Sequence, residues 1–307
     1  MRIVSLLPSA TEILFALGLG DSVVGVTHEC DFPPEAAKKP ALIRPRVDPK
    51  AAPAEIDRQV TGVVQRGESI YAVDAELLAS LAPDLIVTQD LCHVCAASPD
   101  DLATALTRFP KQPRVLSLTP RSLADVWDDI QRIGEATGRK REGQALAMTL
   151  QQRVAAIEMK VTQMKTVQHM PRPRVVCLEW LDPFYVGGHW VPEMVAKAGG
   201  EDALGQAGEP SFRVTAEEIA SAGAEVFVIM PCGYNLARAA RESHDFVFPQ
   251  SWNDLPAIRK KRVFAVDANG YFSRPGPRLA DGVGILAALF YFGEEFGPIP
   301  ENSFDFV

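Results

Sequence analysis

Apolar and polar positions follow two different periods along this chain. Short apolar runs bounded by proline, glycine or polar residues predict buried strands, and segments in which apolar residues recur every three or four positions predict helices. Regular alternation of strands and helices is typical of α/β proteins with parallel sheets. We predict strands at 3–7, 23–26, 85–88, 114–118, 174–178, 226–230 and 262–266, and helices at 10–17, 55–65, 75–81, 100–108, 122–137, 192–198, 216–221 and 278–292. Ser9, Asp74 and Thr215 are predicted to cap helices, and residues 38–53 to form a surface loop.

The longest helical segment covers residues 141–168. It contains no proline and is rich in alanine, leucine, methionine, glutamine, glutamate and lysine, which cost least in a helix. At 1.5 Å per residue, such a helix of roughly 28 residues is about 42 Å long, which exceeds the usual length in globular proteins. We predict that it joins two Rossmann-like α/β lobes with central parallel sheets, residues 1–140 and 169–307, with a ligand cleft between the lobes. An ordinary packed helix inside one domain is the alternative.

Three segments of the first half recur in the same order in the second half. ELLASLAPDLIV at 76–87 corresponds to EEIASAGAEVFV at 217–228, RIVSL at 2–6 to RVVCL at 174–178, and RVLSL at 114–118 to RVFAV at 262–266. Short apolar strings recur by chance, so each pair alone is weak evidence. Three pairs in one order on either side of one helix indicate two similar α/β lobes.

Composition and charge exclude some classes of function. The chain has 307 residues, 47% of them hydrophobic, with a net charge of −8 and a pI near 5.3, so a nucleic-acid partner is not expected. No apolar run approaches the roughly 18 residues that cross a bilayer. Because Met1 and Arg2 lead directly into an apolar strand, no secretory leader is evident. Two expectations stay open: a cytoplasmic protein, or an exported one whose signal was removed.

The ends of the predicted strands collect the unusual residues of the chain. In open parallel sheets ligands bind beyond the carboxyl ends of the strands, and pockets favour domain interfaces. Aromatic walls suit a large, flat, partly apolar ligand, although any single ring can instead be plain core. The candidate ligand-binding residues are Pro8, Ser9, Phe32, Tyr71 and Gln89 in the first half, and Trp180, Phe184, Tyr185, His189, Trp190, Phe212, Tyr271 and Phe272 in the second.

Several motifs resemble one family of transport proteins. They are VSLLPSATE at 4–12, VGVT at 24–27 followed by DFPP at 31–34, LAPDLI at 81–86, and the long connecting helix. Together they resemble the class III substrate-binding proteins of ABC importers, and most closely the vitamin B12-binding members. The resemblance implies a periplasmic or cell-surface monomer that needs no cofactor. It implies capture of cobalamin or a related corrinoid, or else haem or a siderophore, for delivery to an ABC transporter permease.

The same resemblance implies roles for particular positions. Vitamin B12-binding members dock onto permease arginines through one acidic side chain on each lobe, and Glu76 and Glu217 match those positions. Each glutamate can alternatively just complement the dipole of its helix. The ligand-contacting aromatics of these members fall near Phe32, Tyr71, Phe184 and Phe212. This chain departs from them at one position: a tryptophan that they carry after the Pro-Asp-Leu strand is replaced near Gln89, and Cys92 and Cys95 follow closely.

Five cysteines, at positions 30, 92, 95, 177 and 232, are an odd number in a large chain and do not indicate a disulfide framework. His28 and Cys30 leave one predicted strand, and Cys92, His93 and Cys95 leave another, so one sheet edge can bring them together. Thiolates with imidazole suit zinc, although the second Cys-x-x-Cys pair of a structural zinc site is missing. Inert packing, a disulfide or a redox pair are the alternatives. His189 is a candidate ligand to the metal of a corrinoid or haem, and a histidine of a surface loop is the alternative.

Two main hypotheses of function follow from these observations. The first is a binding protein for a corrinoid or similar metal chelate. The second is a cytoplasmic protein that keeps the same fold but uses His28, Cys30, Cys92 and Cys95 for metal or thiol chemistry. An enzyme acting on a corrinoid side chain is a third hypothesis. The chain contains no glycine-rich phosphate loop, no Gly-x-Ser-x-Gly elbow and no His-Glu-x-x-His pair, so we expect no enzymatic activity.

Overall fold

The computed structural model describes residues 1–89, 99–107, 109, 111–293 and 296–307. Within them the chain divides into two compact units, which we call unit 1 (residues 1–120 and 125–148) and unit 2 (residues 121–124 and 149–307). The strands are β1 Ile3–Ser5, β2 Val23–Gly25, β3 Ile43–Pro45, β4 Tyr71–Val73, β5 Leu85–Gln89, β6 Arg114–Leu118, β7 Arg174–Leu181, β8 Phe184–Val186, β9 Glu201–Asp202, β10 Phe212–Arg213, β11 Val226–Ile229, β12 Val263–Val266 and β13 Phe304–Phe306.

Helices alternate with these strands through both units. They are α1 Pro8–Ala16, α2 Pro53–Gln65, α3 Ala75–Leu81, α4 Pro99–Leu106, α5 Leu123–Ala136, α6 Lys140–Gln168, α7 Val191–Lys197, α8 Ala216–Ser221, α9 Leu236–Asp245, α10 Pro256–Arg259, α11 Ala268–Tyr271 and α12 Leu279–Tyr291. Short 3-10 turns cover Gly20–Ser22, Ala36–Lys38 and Gln250–Trp252. In the part of the chain that the structure describes, no helix is both long and apolar enough to cross a membrane.

Unit 1 is built on a parallel sheet with the strand order β2-β1-β5-β6. Its strands are apolar runs because a parallel sheet is covered on both faces. Val4 and Ile86 are fully buried within it and pack with Leu78 of α3. A separate antiparallel pair, β3 with β4, lies beside this core.

Unit 2 contains a mixed sheet with the strand order β10-β8-β7-β11-β12-β13, and β9 also pairs with β7. Its three central strands, β7, β11 and β12, are parallel, whereas β8, β10 and β13 run antiparallel to their neighbours. Phe227 at the centre of the sheet is fully buried, and its ring stacks on Trp252 at a centroid distance of 5.2 Å. Both residues belong to a core cluster of this unit that is otherwise mostly aliphatic.

The repeated segments occupy equivalent places in the two units. Ile3 lies opposite Leu85 in unit 1, and Val175 lies opposite Val226 in unit 2, so the two central strands of each sheet share one register. The same bonds hold the start of the first strand in each repeat. Arg2 Nε donates to Leu81 O (2.7 Å) and Arg2 N to Asp84 Oδ2 (2.7 Å), while Arg174 Nε donates to Ala222 O (3.0 Å) and Arg174 N to Glu225 Oε2 (2.9 Å).

The long helix α6 begins at Lys140, one residue before the predicted start, and contributes residues to both units. Its buried positions recur at helical spacing and are Ala147, Leu150, Val154, Ile157 and Val161. Near its start, a methyl group on Gly143 would lie 3.1 Å from Ile130 O of α5 and 3.2 Å from Gly134 Cα. Glycine therefore lets α5 and α6 approach closely. The predicted α/β class, with parallel central strands and a long helix, is confirmed.

Three local predictions were wrong. Helix α1 begins at Pro8 with Leu7 as its N-cap residue, and Ser9 is buried inside the first turn rather than capping it. Residues 38–53 are not all surface loop, because β3 pairs with β4 and Leu42 beside it is fully buried. The strand predicted at 174–178 continues to Leu181 and turns back into β8. The predicted caps Asp74 and Thr215 are confirmed, since each side chain accepts a hydrogen bond from the helix backbone.

Candidate functional site

The β7–β8 hairpin of unit 2 arranges the aromatic residues at the end of β7 and in β8. Trp180 lies opposite Tyr185 and Leu181 opposite Phe184, and the connection is Asp182–Pro183, with a cis peptide bond. A bulge between Leu178 and Trp180 shifts the register at this point. Because side chains alternate across a strand, the hairpin separates neighbouring aromatic residues onto two faces.

One face of the hairpin carries polar and aromatic side chains, and the other faces the core. Tyr185 lies opposite both Trp180 on β7 and Arg213 on β10, so these three side chains share a face, which we call the Trp180–Tyr185–Arg213 row. Arg213 Nε donates to Tyr185 Oη at 2.8 Å, and the guanidinium lies 5.4 Å from the ring centroid. Trp180 and Tyr185 are half-buried and Arg213 is exposed. The row is therefore accessible on unit 2.

Phe184 and Phe212 lie on the opposite face. Phe212 is paired with Val186, and both phenylalanines pack against the core cluster of unit 2. The Phe184 ring lies 5.0 Å from that of Trp252 and 5.8 Å from that of Phe246. These rings support the hairpin from inside, as in the alternative of plain core packing that the sequence left open for each ring.

A second group of side chains holds Trp180 in place. The indole Nε1 donates to Asp182 O at 3.1 Å, and the indole lies edge-on to Tyr234 at 5.3 Å. The guanidinium of Arg238 lies 3.8 Å from the centroid of the Tyr234 ring. Burial raises the pKa of Tyr234 to about 12, and its Oη has no hydrogen-bond partner among the described residues. Sequence reasoning missed Tyr234, Arg238 and Arg213. Arg213 meets Tyr185 through the pairing of β10 with β8, whereas Tyr234 and Arg238 reach Trp180 through packing between segments that are far apart in the chain.

His189 lies in a strained turn between β8 and α7, with φ at +50°. Its backbone N donates to Glu209 O at 2.6 Å, and its ring lies 5.5 Å from that of Trp190. Burial lowers the pKa of His189, and the nearby positive charge of Arg121 lowers it further, against the opposing effect of Glu209. The imidazole is therefore neutral at neutral pH, which is the form that coordinates a metal.

Two predicted ligand contacts belong instead to the interior of unit 2. Trp190 is 5% exposed and its Nε1 donates to Phe272 O at 2.8 Å, while the Phe272 side chain is 1% exposed. Because both rings are almost completely buried, both are corrected to core residues. Tyr271, on α11, is half-buried beside Arg278, whose guanidinium lies 5.6 Å from its ring centroid. Burial raises the pKa of Tyr271, so its hydroxyl stays protonated at neutral pH.

In unit 1 a group of hydroxyls and one thiol lies where β1 leads into α1. Cys30 Sγ is 3.1 Å from Thr11 Oγ1 and 3.3 Å from Thr27 Oγ1, and all three residues are buried. Thr11 Oγ1 also donates to Ser5 Oγ at 2.9 Å. These bonds satisfy polar atoms inside the unit. Cys30 thus packs among hydroxyls here, whereas the sequence analysis offered it as a metal ligand.

The other candidates of unit 1 differ widely in exposure. Phe32 is 43% exposed, and the half-buried Tyr71 lies against His28 at a ring distance of 5.8 Å. Pro8 is half-buried. Gln89 is buried at the end of β5 and lines a cavity of about 180 Å³ with Thr88 and Ser117. Among the described residues, the ring contact of Tyr71 with His28 joins a ligand candidate to a candidate metal ligand.

The predicted metal site cannot be assembled from the described residues. Cys92, His93 and Cys95 lie outside them. His28 Nε2 is 3.8 Å from Glu29 Oε1. Across the described part of the chain, no three histidine, cysteine, aspartate or glutamate side chains are grouped so that they could hold a metal ion. The zinc site stays a prediction.

The two glutamates with a predicted docking role occupy equivalent places. Glu76 lies in the first turn of α3 and Glu217 in the first turn of α8, and both are exposed. The caps of these helices, Asp74 and Thr215, are equivalent as well. Each carboxylate therefore stands at the positive end of a short helix on its own unit.

Comparison with known proteins identifies the family. A family of proteins described as periplasmic binding proteins matches residues 3–269. This chain belongs to the periplasmic binding protein family. A vitamin B12-binding protein from Vibrio parahaemolyticus is 23% identical to this family member over 286 residues, covering 92% of the chain and 86% of the relative. An uncharacterized ABC transporter substrate-binding lipoprotein, YvrC from Bacillus subtilis, is 29% identical over 300 residues, covering 94% and 80%.

Solved structures share the fold of this binding protein. The periplasmic heme-binding protein RhuT from Roseiflexus sp. RS-1, in its apo form, is 25% identical with a TM-score of 0.69, covering 95% of this chain and 98% of that one. The periplasmic vitamin B12 binding protein BtuF of Vibrio cholerae is 21% identical with a TM-score of 0.68, covering 95% and 96%. The resemblance noted in the sequence motifs is confirmed, as is the prediction of a solute-binding protein rather than an enzyme. The cytoplasmic metal or thiol alternative finds no support among these proteins.

Proposed function

We propose that this binding protein captures cobalamin or a related corrinoid or metal chelate outside the cytoplasmic membrane and delivers it to an ABC transporter permease. The observation that carries the proposal is the match to the periplasmic binding protein family over residues 3–269, together with relatives named vitamin B12-binding protein that cover nearly the whole chain. Haem and siderophores are the other ligands to be compared, since a heme-binding protein shares the fold.

Accessible aromatic side chains support a flat, partly apolar ligand. Trp180, Tyr185 and Tyr271 of unit 2 are half-buried, as is Tyr71 of unit 1, and Phe32 is exposed. Aromatic rings supply large contact areas at a low cost in side-chain entropy. The neutral imidazole of His189 is suited to the metal of a corrinoid or haem.

Direct titration tests the proposed ligand. We expect cyanocobalamin to bind with one-to-one stoichiometry by calorimetry, with a shift of its visible spectrum. Trp180→Ala removes a half-buried ring of the accessible row and is expected to weaken binding about tenfold or more, because burying a large side chain stabilises by about 1.5–3 kcal/mol. Phe306→Ala is the matched control, since this 55% exposed ring lies on β13 at the other edge of the same sheet.

A lack of binding would also be informative. If cyanocobalamin, dicyanocobinamide, haem and ferric siderophores all fail to bind the purified protein, the proposed function is wrong. Thermal unfolding of each variant must accompany the titrations, because Trp180 also contacts Tyr234 and its loss can loosen unit 2.

The proposed permease contact places Glu76 and Glu217 at the docking surface. Two equivalent carboxylates, one on each unit, can form charge-assisted hydrogen bonds to arginines of a membrane partner. We expect Glu76→Gln and Glu217→Gln to leave ligand affinity unchanged and to reduce uptake into vesicles that contain the ABC permease, with the double variant affected most. Glu301→Gln removes another exposed carboxylate and serves as the control. Uptake at the original rate by the double variant would rule out this role.

A further inference from the structure

We propose that Asp202 is a positioning residue for His189. Its carboxyl group secures residues 203–211, a segment that we call the strap, and the strap fixes the backbone of His189. His189 is the candidate ligand to the metal of the bound chelate, so the inference rests on the proposed function. All of these contacts lie within unit 2, and the first link between them can be tested without a ligand.

The first observation is that the strap binds both backbone groups of His189. His189 N donates to Glu209 O at 2.6 Å, and Gly208 N donates to His189 O at 2.9 Å. The strap also touches the preceding residue, since a methyl group on Gly188 would lie 2.5 Å from Glu209 O and 2.6 Å from Pro210 C. His189 has a left-handed backbone with φ at +50°, which is unfavourable for a residue with a side chain. The two hydrogen bonds from the strap therefore stabilise the turn that carries the imidazole.

The second observation is that one carboxyl group organises the start of the strap. Asp202 Oδ1 accepts from Leu204 N at 3.1 Å and from Gly205 N at 2.7 Å. Ala203 N donates to Val175 O of β7 at 2.8 Å, which attaches the strap to the sheet. A methyl group on Gly205 would lie 2.7 Å from Asp202 Oδ2. The backbone of the strap thus closes directly over the carboxyl group.

The third observation is that the second oxygen of this carboxyl group is unsatisfied. Asp202 Oδ2 is buried and has no hydrogen-bond partner among the described residues. An ionised carboxylate is costly in such a place, and burial raises the pKa of Asp202 from 3.8 to about 6, against the opposing effect of the two backbone donors. Opening of the strap would hydrate the group and restore an ordinary pKa. The closed strap therefore holds a proton that the open strap releases, and closure strengthens as the pH falls from about 6 to about 4.

The basic groups on the neighbouring elements pair with other acids. Arg174 of β7 pairs with Glu201 at 2.6 Å, and Lys197 of α7 pairs with Glu158 at 2.9 Å. Burial, rather than a charged neighbour, accounts for the raised pKa of Asp202. A change in the strap between about pH 4 and 6 would therefore report the carboxyl group itself.

Other titratable groups lie on β7, α7 and the strap. Burial raises the pKa of Cys177, and the negative charges of Asp202 and Glu179 raise it further, so the thiol stays protonated. Glu179 and Glu193 each accept a hydrogen bond from another residue of unit 2, and Glu209 is exposed. Because these glutamates can also titrate in acid, the pH dependence must be assigned by substitution of Asp202.

Backbone hydrogen exchange of the purified, ligand-free protein tests the first link. Relative to intrinsic rates, we expect the amides of Gly208 and His189 to exchange on the order of tenfold more slowly at about pH 4.5 than at about pH 6.5, because a local opening must expose the Asp202 carboxyl group. Asp202→Asn keeps an Oδ1 acceptor without the charge, so its exchange should be slow at both pH values. Asp202→Ala removes the acceptor, so its exchange should be fast at both.

Two further variants serve as controls for this measurement. Thr215→Ala removes another side-chain acceptor of a backbone N–H in unit 2, outside the strap, and should leave the exchange of Gly208 unchanged. His189→Gln removes the titration of the imidazole, and the pH dependence at Gly208 should persist in it. If Asp202→Ala leaves the protection of Gly208 as in the original protein, the link between Asp202 and the strap is wrong.

A double-mutant cycle tests the second link, from the strap to the ligand. The probes are haemin and diaquacobinamide, whose metals have exchangeable axial positions, titrated at about pH 7.5 by visible spectroscopy. Asp202→Ala and His189→Ala are each expected to weaken binding about tenfold, and the double variant to bind no more weakly than His189→Ala, because Asp202 acts through the imidazole. Asp202→Asn should bind at least as tightly as the original protein. A general loss of structure would instead make the two losses multiply to about a hundredfold.

The outcomes separate this inference from the proposed function. If a probe binds but His189→Ala leaves its affinity unchanged, or if the two losses multiply, the positioning role of Asp202 is overturned while ligand capture stands. If hydrogen exchange behaves as expected but neither probe nor cyanocobalamin binds, ligand capture fails, whereas the control of the His189 backbone by Asp202 is retained.

Discussion

Units 1 and 2 share one framework and differ in what is added to it. Strands β1, β5 and β6 of unit 1 have the same order and direction as β7, β11 and β12 of unit 2. In each unit the arginine at the start of the first strand donates to a carbonyl at the end of the helix that precedes the second strand. The helix also ends in a left-handed residue at equivalent positions, Ala82 in unit 1 and Gly223 in unit 2.

The additions account for the chemistry of the candidate site. Unit 1 keeps a four-stranded parallel sheet, whereas unit 2 extends its sheet with the antiparallel strands β8, β10 and β13. Two of these, β8 and β10, supply Tyr185 and Arg213, and the turn into β8 places Trp180 beside them. The repeated framework therefore provides the fold, and unrepeated segments after its strands provide the accessible aromatic surface.

The largest expected effect concerns the equivalent core positions Ile86 and Phe227. Both are fully buried at the centre of their sheets. Ile86→Ala is expected to lower the free energy of unfolding by about 2–5 kcal/mol and Phe227→Ala by about 3–5 kcal/mol, because each removes buried surface and leaves a cavity. Denaturant unfolding followed by tryptophan fluorescence measures both.

A tryptophan variant shows in which unit each loss of unfolding free energy occurs. Trp127 is the one tryptophan of unit 1, so Trp127→Phe leaves only reporters in unit 2. In that background Phe227→Ala should shift the fluorescence transition directly. If the free energy of unfolding fell by less than about 1 kcal/mol in either alanine variant, the two residues would not occupy equivalent core positions.

The second prediction concerns the pH dependence of stability and compares one enclosed carboxyl group in each unit. Burial raises the pKa of Asp202 in unit 2, and of Asp129 in unit 1, from 3.8 to about 6. The folded chain therefore binds more protons than the unfolded chain between about pH 4 and 6, so the free energy of unfolding falls as the pH rises through that window. Asp202→Asn is expected to be more stable than the original protein by about 1–3 kcal/mol at pH 7.5 and equal to it near pH 4.

Asp129 differs from Asp202 because it has a charged side-chain partner. Asp129 Oδ1 accepts from Arg132 Nη1 at 2.6 Å, whereas Asp202 Oδ1 accepts from the backbone N of Leu204 and Gly205. An asparagine keeps the backbone bonds of Asp202 but loses the ion pair of Asp129. Asp129→Asn should therefore gain less than Asp202→Asn at pH 7.5. Unfolding curves at both pH values measure this difference, and a larger gain for Asp129→Asn would contradict the assignment.

The smallest effect concerns the two equivalent helix caps. Asp74 accepts from Leu77 N at 2.9 Å. Thr215 accepts from Glu218 N at 3.2 Å, and its own backbone N donates to Glu218 Oε2 at 2.7 Å. Asp74→Ala and Thr215→Ala are each expected to cost about 1 kcal/mol. Thermal unfolding should report similar losses for both. Ser9→Ala is the contrasting variant. Because Ser9 does not cap its helix, this substitution removes no capping hydrogen bond, and no loss of stability from that cause is expected.

Much of the framework could be predicted from local patterns. The helices at 75–81 and 141–168 and the strand at 114–118 match the observed elements to within one residue. The reason is that periodicity, capping residues and helix propensity act within a few neighbouring positions. The candidate site was predicted less well. Trp180 and Tyr185 remain accessible, whereas Trp190 and Phe272 are core, and all four are aromatic residues that follow the strands predicted from the sequence.

The amino-acid sequence by itself determined the alternation of strands and helices, the long helix and the doubling of the framework, because each is written in short-range patterns or in direct repetition. Only the tertiary structure decided which aromatic rings stay accessible, that Arg213 meets Tyr185, and that the Asp202 carboxyl group is enclosed. Those outcomes depend on strand register and on packing between residues far apart in the chain. A shift of one residue in register would exchange the core face of the hairpin for its accessible face.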